Sequence, residues 1–525
     1  MPNRIEIYDT TLRDGTQAAG LSPTVGEKLR VARLLDRLGV DFIEGGWPGA
    51  NPKDDEFFER SRDELDLETA TLVAFGSTRR PGTEPEHDEQ LRRLVDTGTE
   101  VVCIVGKSSL RHVTHALHAS SDEGIAMVGD SIRYLRSHDR RVFFDAEHFF
   151  DGYRDEPAFS LAVLEAAADA GAERLVLCDT NGGSLPAQAE QVVAAVAERF
   201  AVPLGVHFHN DSGCAVANSL AAVAAGAFQV QGCVNGYGER TGNADLCTLI
   251  PNLTLKMGRS TLPEANIELL YPVAHEIAEV MNAPIDRRHP YVGSAAFAHK
   301  AGLHTSGLAR LDGAYEHVAP ALVGNSRKLL FSELMGRSTL LSAAAERGWD
   351  LDAETAQVVV DRVKDLEHAG YQFEAADGSF ELLVRDTMGW QQQFFTVLSR
   401  TVALHDDGET EPTAVATLRI GLGGEELEVS QAGDGPVHAL DQALRAALEP
   451  AYPELKGVHL TDYKVRDLDS ADGTAARVRV LIQTSNGERD WGTVGIHHNV
   501  IEASWQAMRD GIIVGLLHAG VEPAS

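Results

Sequence analysis

The chain has 525 residues, 43% of them hydrophobic and 24% charged, with a formal net charge of -32. That length holds two or three domains and at least one large core. The acidic balance excludes nucleic acid or an anionic membrane as the main partner. The five cysteines show no Cys-x-x-Cys spacing and no disulfide-scaffold density. No apolar run nears the ~18 residues a bilayer span requires. A strand pattern starts within a few residues of Met1, which leaves no room for a signal peptide, so the expectation is a cytoplasmic protein.

The first half is a strand-then-helix rhythm. Apolar, β-branched runs recur at Ile5–Tyr8, Phe42–Glu44, Leu72–Phe75, Val101–Val105, Val142–Phe144, Leu175–Cys178, Leu204–Phe208 and Gln229–Val234. Between them lie helical patterns such as 26–38, 159–170, 186–200 and 212–225, several ending at Gly39, Gly171 or Gly226 as helix caps do. Eight such units in roughly 255 residues predict a (β/α)8 TIM barrel. Polar residues gather at the C-terminal end of nearly every strand, where barrel enzymes build their sites. They include Asp9, Asp14, Glu44, Ser77, Glu147, Asp179, Thr180 and Asn235.

After Pro251 the alternation stops. Residues 264–282 and 353–369 read as amphipathic helices of a linker region. Near residue 390 a small unit occurs twice. Strands at 414–420 and 423–429 with a helix at 435–444 are matched by strands at 477–484 and 486–494 with a helix at 499–508. The expected organisation is a catalytic barrel over 1–262, a helical linker over 263–388, and a duplicated α+β regulatory or dimerisation domain over 389–525.

The chemistry concentrates in three places. The first strand runs into Asp9, Thr10, Arg13 and Asp14, a costly crowd of polar groups unless something charged binds there. The seventh ends in His207-Phe-His209, and the strand period of two puts both imidazoles on one face. Asp14, His207 and His209 are expected to hold a divalent metal, with Asn243 of Gly238-Glu-Arg-Thr-Gly-Asn243 as a fourth ligand. Mixed nitrogen and oxygen donors with open positions suit Mn, Mg, Zn, Co or Fe alike. Arg13 is placed to stabilise a carbonyl or enolate oxygen. Glu147 at the mouth of the fifth strand is expected to be a catalytic or orienting carboxylate. The Thr180 hydroxyl is suited to grip a substrate carboxylate. Arg79 and Arg80 read as solvated arginines rather than phosphate contacts.

The motifs Asp9-Thr-Thr-Leu-Arg-Asp-Gly15, His207-Phe-His-Asn-Asp211, Asn235-Gly-Tyr-Gly-Glu-Arg-Thr-Gly-Asn243, His299-Lys-Ala-Gly-Leu-His304 and Gly433-Asp-Gly-Pro-Val437 occur in this order. With them the chain resembles, over almost its whole length, the DRE-TIM metallolyase superfamily. The likeness is to its Claisen-condensing branch of 2-isopropylmalate, homocitrate and citramalate synthases. The resemblance implies that Asp14 and the two histidines bind a divalent metal (Mn, Mg, Zn or Co), and that Arg13 and Glu147 are catalytic. It also implies that His304, accompanied by Tyr315, completes the site of a partner subunit in a homodimer. Acetyl-CoA would be the co-substrate. The segment Ile43–Lys53 most resembles the pyruvate-using subgroup. The duplicated module implies an amino-acid effector, isoleucine.

Two departures stand out: Thr16 follows Arg-Asp-Gly where many relatives have Glu, and Asp145 shares the strand face of Glu147, inside the expected 2-oxo-acid pocket. A retro-aldol or acyl-CoA lyase on the same barrel is the competing enzyme reading, and a metal-free amino-acid sensor the competing binding reading. The linker His304 and the duplicated module argue against the first. The intact Arg13, Asp14, His207, His209 and Glu147 argue against the second.

Overall fold

The computed structural model describes residues 3–524 apart from 301–303, 305–306, 309–310, 312, 330, 333, 407, 409–410, 412, 469–472 and 474–475. Ala301, Gly302 and Leu303 of the His299–His304 motif therefore lie outside the described residues. By packing, the chain divides into one unit of residues 1–297 with 318–327, and a second of 298–317 with 328–525.

The first unit is the expected barrel. β1 (Glu6–Asp9), β2 (Phe42–Gly46), β3 (Thr71–Ser77), β4 (Val101–Lys107), β5 (Arg141–Glu147), β6 (Arg174–Asp179), β7 (Leu204–Phe208) and β8 (Gln229–Gly232) close in sequence order. The seam pairs β1 with β8 in parallel, Tyr8 opposite Gln231. The helices form where the sequence caps them. Thr24 and Glu27 make a reciprocal capping box at the start of helix Val25–Leu38, and Gly39, at φ 92°, ends it in the left-handed region. Outward strand residues such as Ile7, Val102, Phe144 and Leu177 join helix residues such as Leu35, Ile132 and Val193 in one buried layer. Inside the barrel a second cluster of Tyr8, Phe42, Val73, Phe75, Cys103 and Phe143 fills the space beneath the mouth. Polar side chains can then collect at the strand ends without opening the core.

The second unit begins with a short parallel pair, β9 (Ala298–His299) and β10 (Lys328–Leu329). Helices Arg337–Glu346, Ala353–His368 and Asp377–Thr387 follow, packed around Phe331, Phe373 and Phe380. The duplication is present, but each copy has three strands rather than the two expected from sequence. β11 (Thr396–His405), β12 (Thr413–Leu422) and β13 (Glu425–Gly433) form one antiparallel sheet, followed by helix Pro436–Leu448. β14 (His459–Asp467), β15 (Val478–Ser485) and β16 (Asp490–His497) form the other, followed by helix Val500–His518. The unexpected members, β11 and β14, are edge strands exposed along nearly their whole length, so they lack the apolar alternation that marks a half-buried strand. Among the described residues no helix is long and apolar enough to cross a membrane.

Candidate metal and substrate site at the barrel mouth

The expected metal ligands meet. Asp14 Oδ2 lies 3.2 Å from His207 Nε2 and 3.6 Å from His209 Nε2, and the two Nε2 atoms are 3.4 Å apart. All three side chains are buried. His207 is the penultimate residue of β7, and an isolated bridge pairs His209 with Asn243. Asn243 Nδ2 is 3.1 Å from Asp14 Oδ2, while its buried Oδ1 has no hydrogen-bond partner. Gly242 makes this approach possible: it sits at φ 91°, and a Cβ there would fall 1.9 Å from the Gly236 carbonyl oxygen. Arg240 ties the same loop to the neighbouring strand ends, donating to Asp211 at 2.8 Å and to the Thr180 carbonyl at 2.8 Å.

Electrostatics fit a cation at this point. Burial alone would raise the Asp14 carboxyl, yet Arg13, His207 and His209 together hold it well below the usual carboxylate range. Burial first, and then neighbouring His207, pushes His209 down to about 4. Lone-pair donors packed this closely repel one another unless a proton or a metal ion lies between them. The donor set and the orphaned Asn243 Oδ1 therefore fit a divalent metal.

Around this cluster a cavity of about 390 Å3 is lined by Arg13, Trp47, Phe75, Asp145, Glu147 and Thr180, among others. Arg13 is fixed in it from two sides. Its Nε donates to Glu44 at 2.6 Å, and its guanidinium carbon lies 3.8 Å from the Phe75 ring centroid. Glu44 in turn accepts from the Tyr8 hydroxyl at 2.9 Å. The Thr16 departure is explained locally, since its hydroxyl donates to the Arg13 carbonyl at 2.7 Å and steadies the short 3-10 turn Gly15–Gln17. Glu147 lies 2.5 Å from the Lys107 ammonium, and the register of β4 and β5 sets the two residues opposite each other. The Thr180 hydroxyl accepts from the His148 N–H at 2.9 Å. Asp145 Oδ1 accepts from Cys103 Sγ at 3.2 Å and Gln231 Nε2 at 3.1 Å, so one oxygen of this expected pocket residue is engaged inside the barrel.

Lys107, Glu44 as the partner of Arg13, and Gln231 were not singled out by sequence for these roles. Each is a polar residue within a short, mostly apolar strand, and only the register shows what it faces. Arg79 corrects an expectation: it is 6% exposed and pairs with Glu123 at 2.7 Å and Asp130 at 2.8 Å, so it is not a solvated arginine. Arg80 is exposed. The segment Trp47–Lys53 is held by Asp54, which accepts from the Trp47 N–H and the Asn51 amide, both at 3.0 Å, and pairs with buried Lys28 at 2.5 Å. In the second unit, the exposed His304 stacks on Tyr315 with ring centroids 4.2 Å apart. Nearby, His299 lies 3.2 Å from Glu316.

Comparison with known proteins covers the chain in three parts. Residues 4–275 match the HMGL-like family model, residues 291–370 the homocitrate synthase post-HMGL domain-like model, and residues 374–514 the LeuA allosteric (dimerisation) domain. The chain is 49% identical to the (R)-citramalate synthase of Streptomyces coelicolor, a match covering 100% of this chain and 99% of that protein. It is 47% identical to the (R)-citramalate synthase of Aquifex aeolicus over 98% of both chains. With the (R)-citramalate synthase of Synechocystis it shares 50% identity over 97% of this chain and 96% of the relative.

Proposed function

The chain belongs to the (R)-citramalate synthase family, and from that premise we propose that it joins the methyl carbon of acetyl-CoA to the keto carbon of pyruvate. Hydrolysis of the thioester then releases (R)-citramalate and CoA. The observation that supports this reading best is the convergence of Asp14, His207 and His209 in a cavity that also presents a fixed guanidinium and a paired carboxylate.

Asp14, His207, His209 and Asn243 would hold the divalent metal, which when bound supplies Lewis acidity and a template for a 2-oxo acid. The remaining steps fall to the chain's own groups. Arg13, held by Glu44 and Phe75 and lining the cavity, is assigned to stabilising the oxygen where negative charge grows during carbon–carbon bond formation. Thr180 has one lone pair occupied by the His148 N–H, so its proton is free to turn toward the substrate carboxylate. Glu147, with Lys107 beside it, is assigned to moving the proton from the acetyl methyl group. His304, with Tyr315, shares that proton traffic by resemblance, acting in the site of a second copy of the chain. The base is one of Glu147 and His304. Asp145 shapes the floor of the acid pocket.

The LeuA-type module supports a homodimer with allosteric control, and we assign isoleucine as its effector. The deciding experiment is thiol release from acetyl-CoA with pyruvate, 2-oxoisovalerate, 2-oxoglutarate and glyoxylate side by side. Pyruvate should give the highest kcat/KM, and a higher value for 2-oxoisovalerate or 2-oxoglutarate would reassign the chain to 2-isopropylmalate or homocitrate synthesis.

A further inference from the structure

The second unit contains another cavity, of about 670 Å3, bordered by β14, β15 and helix Ala353–His368. In a chain of net charge -32 its lining is rich in basic side chains, with Arg466, Arg479 and Lys364 beside His368. Arg466 and Arg479 stand directly opposite each other in the antiparallel register of β14 and β15, where like charges weaken a sheet. Among the described residues, neither has a carboxylate partner. Arg479 donates through Nη1 to the Gly370 carbonyl at 2.9 Å, while its buried Nε has no hydrogen-bond partner. Burial and the facing Arg466 both lower the Arg479 pKa. Lys364 and His368, spaced i and i+4, share one helix face toward the same cavity. Two carboxylates also line it. Glu374 pairs with Lys300, and Glu367 accepts from the Phe373 N–H at 3.2 Å.

Two arginines paired in register on adjacent strands and lining one cavity, one of them with an unsatisfied buried N–H, are a cost that a multiply charged anion removes. We propose that this cavity binds a phosphate-bearing anion, best a diphosphate, gripped by Arg466 and Arg479 with Lys364 and the His368 ring as further contacts. The inference does not depend on the condensation proposed above. Two sources carry this chemistry: a free oligophosphate and the diphosphate of CoA.

The test is calorimetric titration of the full-length protein with inorganic pyrophosphate. Binding should weaken at least about tenfold in Arg466→Ala and fall with added salt. It should stay unchanged in Arg419→Ala, a surface arginine paired with Glu426 on the other sheet. Arg466 is exposed, so the fold should tolerate its loss; if its melting curve departs from wild type, Lys364→Gln replaces it. A parallel CoA titration that loses affinity by the same factor identifies CoA as a source, and one indifferent to the variant assigns the site to free oligophosphate. No pyrophosphate binding at millimolar concentration, or a variant that binds as tightly as wild type, overturns the proposal.

Discussion

Gln231 Oε1 lies 2.9 Å from His207 Nδ1, and the two residues face each other across adjacent strands β8 and β7. The other end of the Gln231 amide is fixed, because its Nε2 donates to Asp145 at 3.1 Å. With the amide so oriented, His207 Nδ1 must carry a proton, which leaves Nε2 as the nitrogen that would face a metal beside Asp14. Gln231→Leu removes this control without touching a ligand. Metal affinity, measured calorimetrically on metal-stripped protein, should fall about 10–100-fold. An unchanged affinity would show that the tautomer is set elsewhere.

Stripping the metal with chelator should abolish turnover, and adding back Mn or Mg should restore it. His209→Ala should be equally inactive and beyond rescue by metal, with its circular dichroism unchanged, since His209 stands beyond the end of β7 and outside the packed layer. Full activity in excess chelator would remove the metal from the mechanism.

Asp54→Ala should destabilise the barrel by about 3–5 kcal/mol, because it leaves the Lys28 ammonium buried and unpaired. Lys28 is 1% exposed, and the Phe57 ring, 4.9 Å from its ammonium, is a cation–π contact too weak to replace the carboxylate. The double variant Lys28→Met/Asp54→Leu should recover most of that loss. Urea unfolding midpoints read both, and a double variant as unstable as Asp54→Ala would refute the account.

Glu381 gives the second unit a pH-dependent link between helices Asp377–Thr387 and Val500–His518, through His518 at 3.1 Å. Burial would raise its carboxyl, but hydrogen bonds and charge from His518 and Arg385 outweigh this and hold it below the usual glutamate range. A depressed carboxylate pKa stabilises the fold above the unfolded value, and that stability is lost as pH falls through the folded one. Glu381→Gln should therefore be less stable than wild type at neutral pH, by about 1–3 kcal/mol, with the gap closing under acidic conditions. A gap independent of pH would mean that the pair contributes through shape alone.

Isoleucine should slow condensation and raise the melting temperature of the full-length dimer, whereas leucine and valine should do so less. A rate and a melting curve both indifferent to isoleucine would exclude it as the effector. Sedimentation should report a dimer of the 56.6 kDa chain.

The barrel was legible because every strand carries its own marker: an apolar run that stops at polar groups. The clustering of the three proposed ligands was legible for a related reason. A His-x-His pair can only share a strand face, and Asp14 sits at the corresponding end of β1. Other residues acquire meaning only from pairing. Lys107 is the last residue of an apolar strand until β5 sets Glu147 opposite it, and Gln231 is one of two glutamines in β8 until β7 brings His207 alongside. β11 and β14 escaped detection because both of their faces are largely exposed, and a strand without a buried face has no period to read. Helices Arg337–Glu346 and Asp377–Thr387 were not singled out within the linker region, and what gives them shape is the Phe331, Phe373 and Phe380 packing, drawn from separate segments.

The seam between β1 and β8 also sets a timetable for biogenesis. Thr10 finds its carbonyl partner on Gly232, 222 residues further along the chain. At synthesis rates of about 5–20 residues per second, the first strand waits roughly ten to forty seconds on the ribosome before its closing neighbour exists. During that interval β1 shows one unsatisfied edge, and Asp14 waits for imidazoles that have not been made. The proposed metal centre thus cannot form until the seventh strand has been made, so a late stretch of the barrel's sequence governs a site whose first member, Asp14, lies near its beginning.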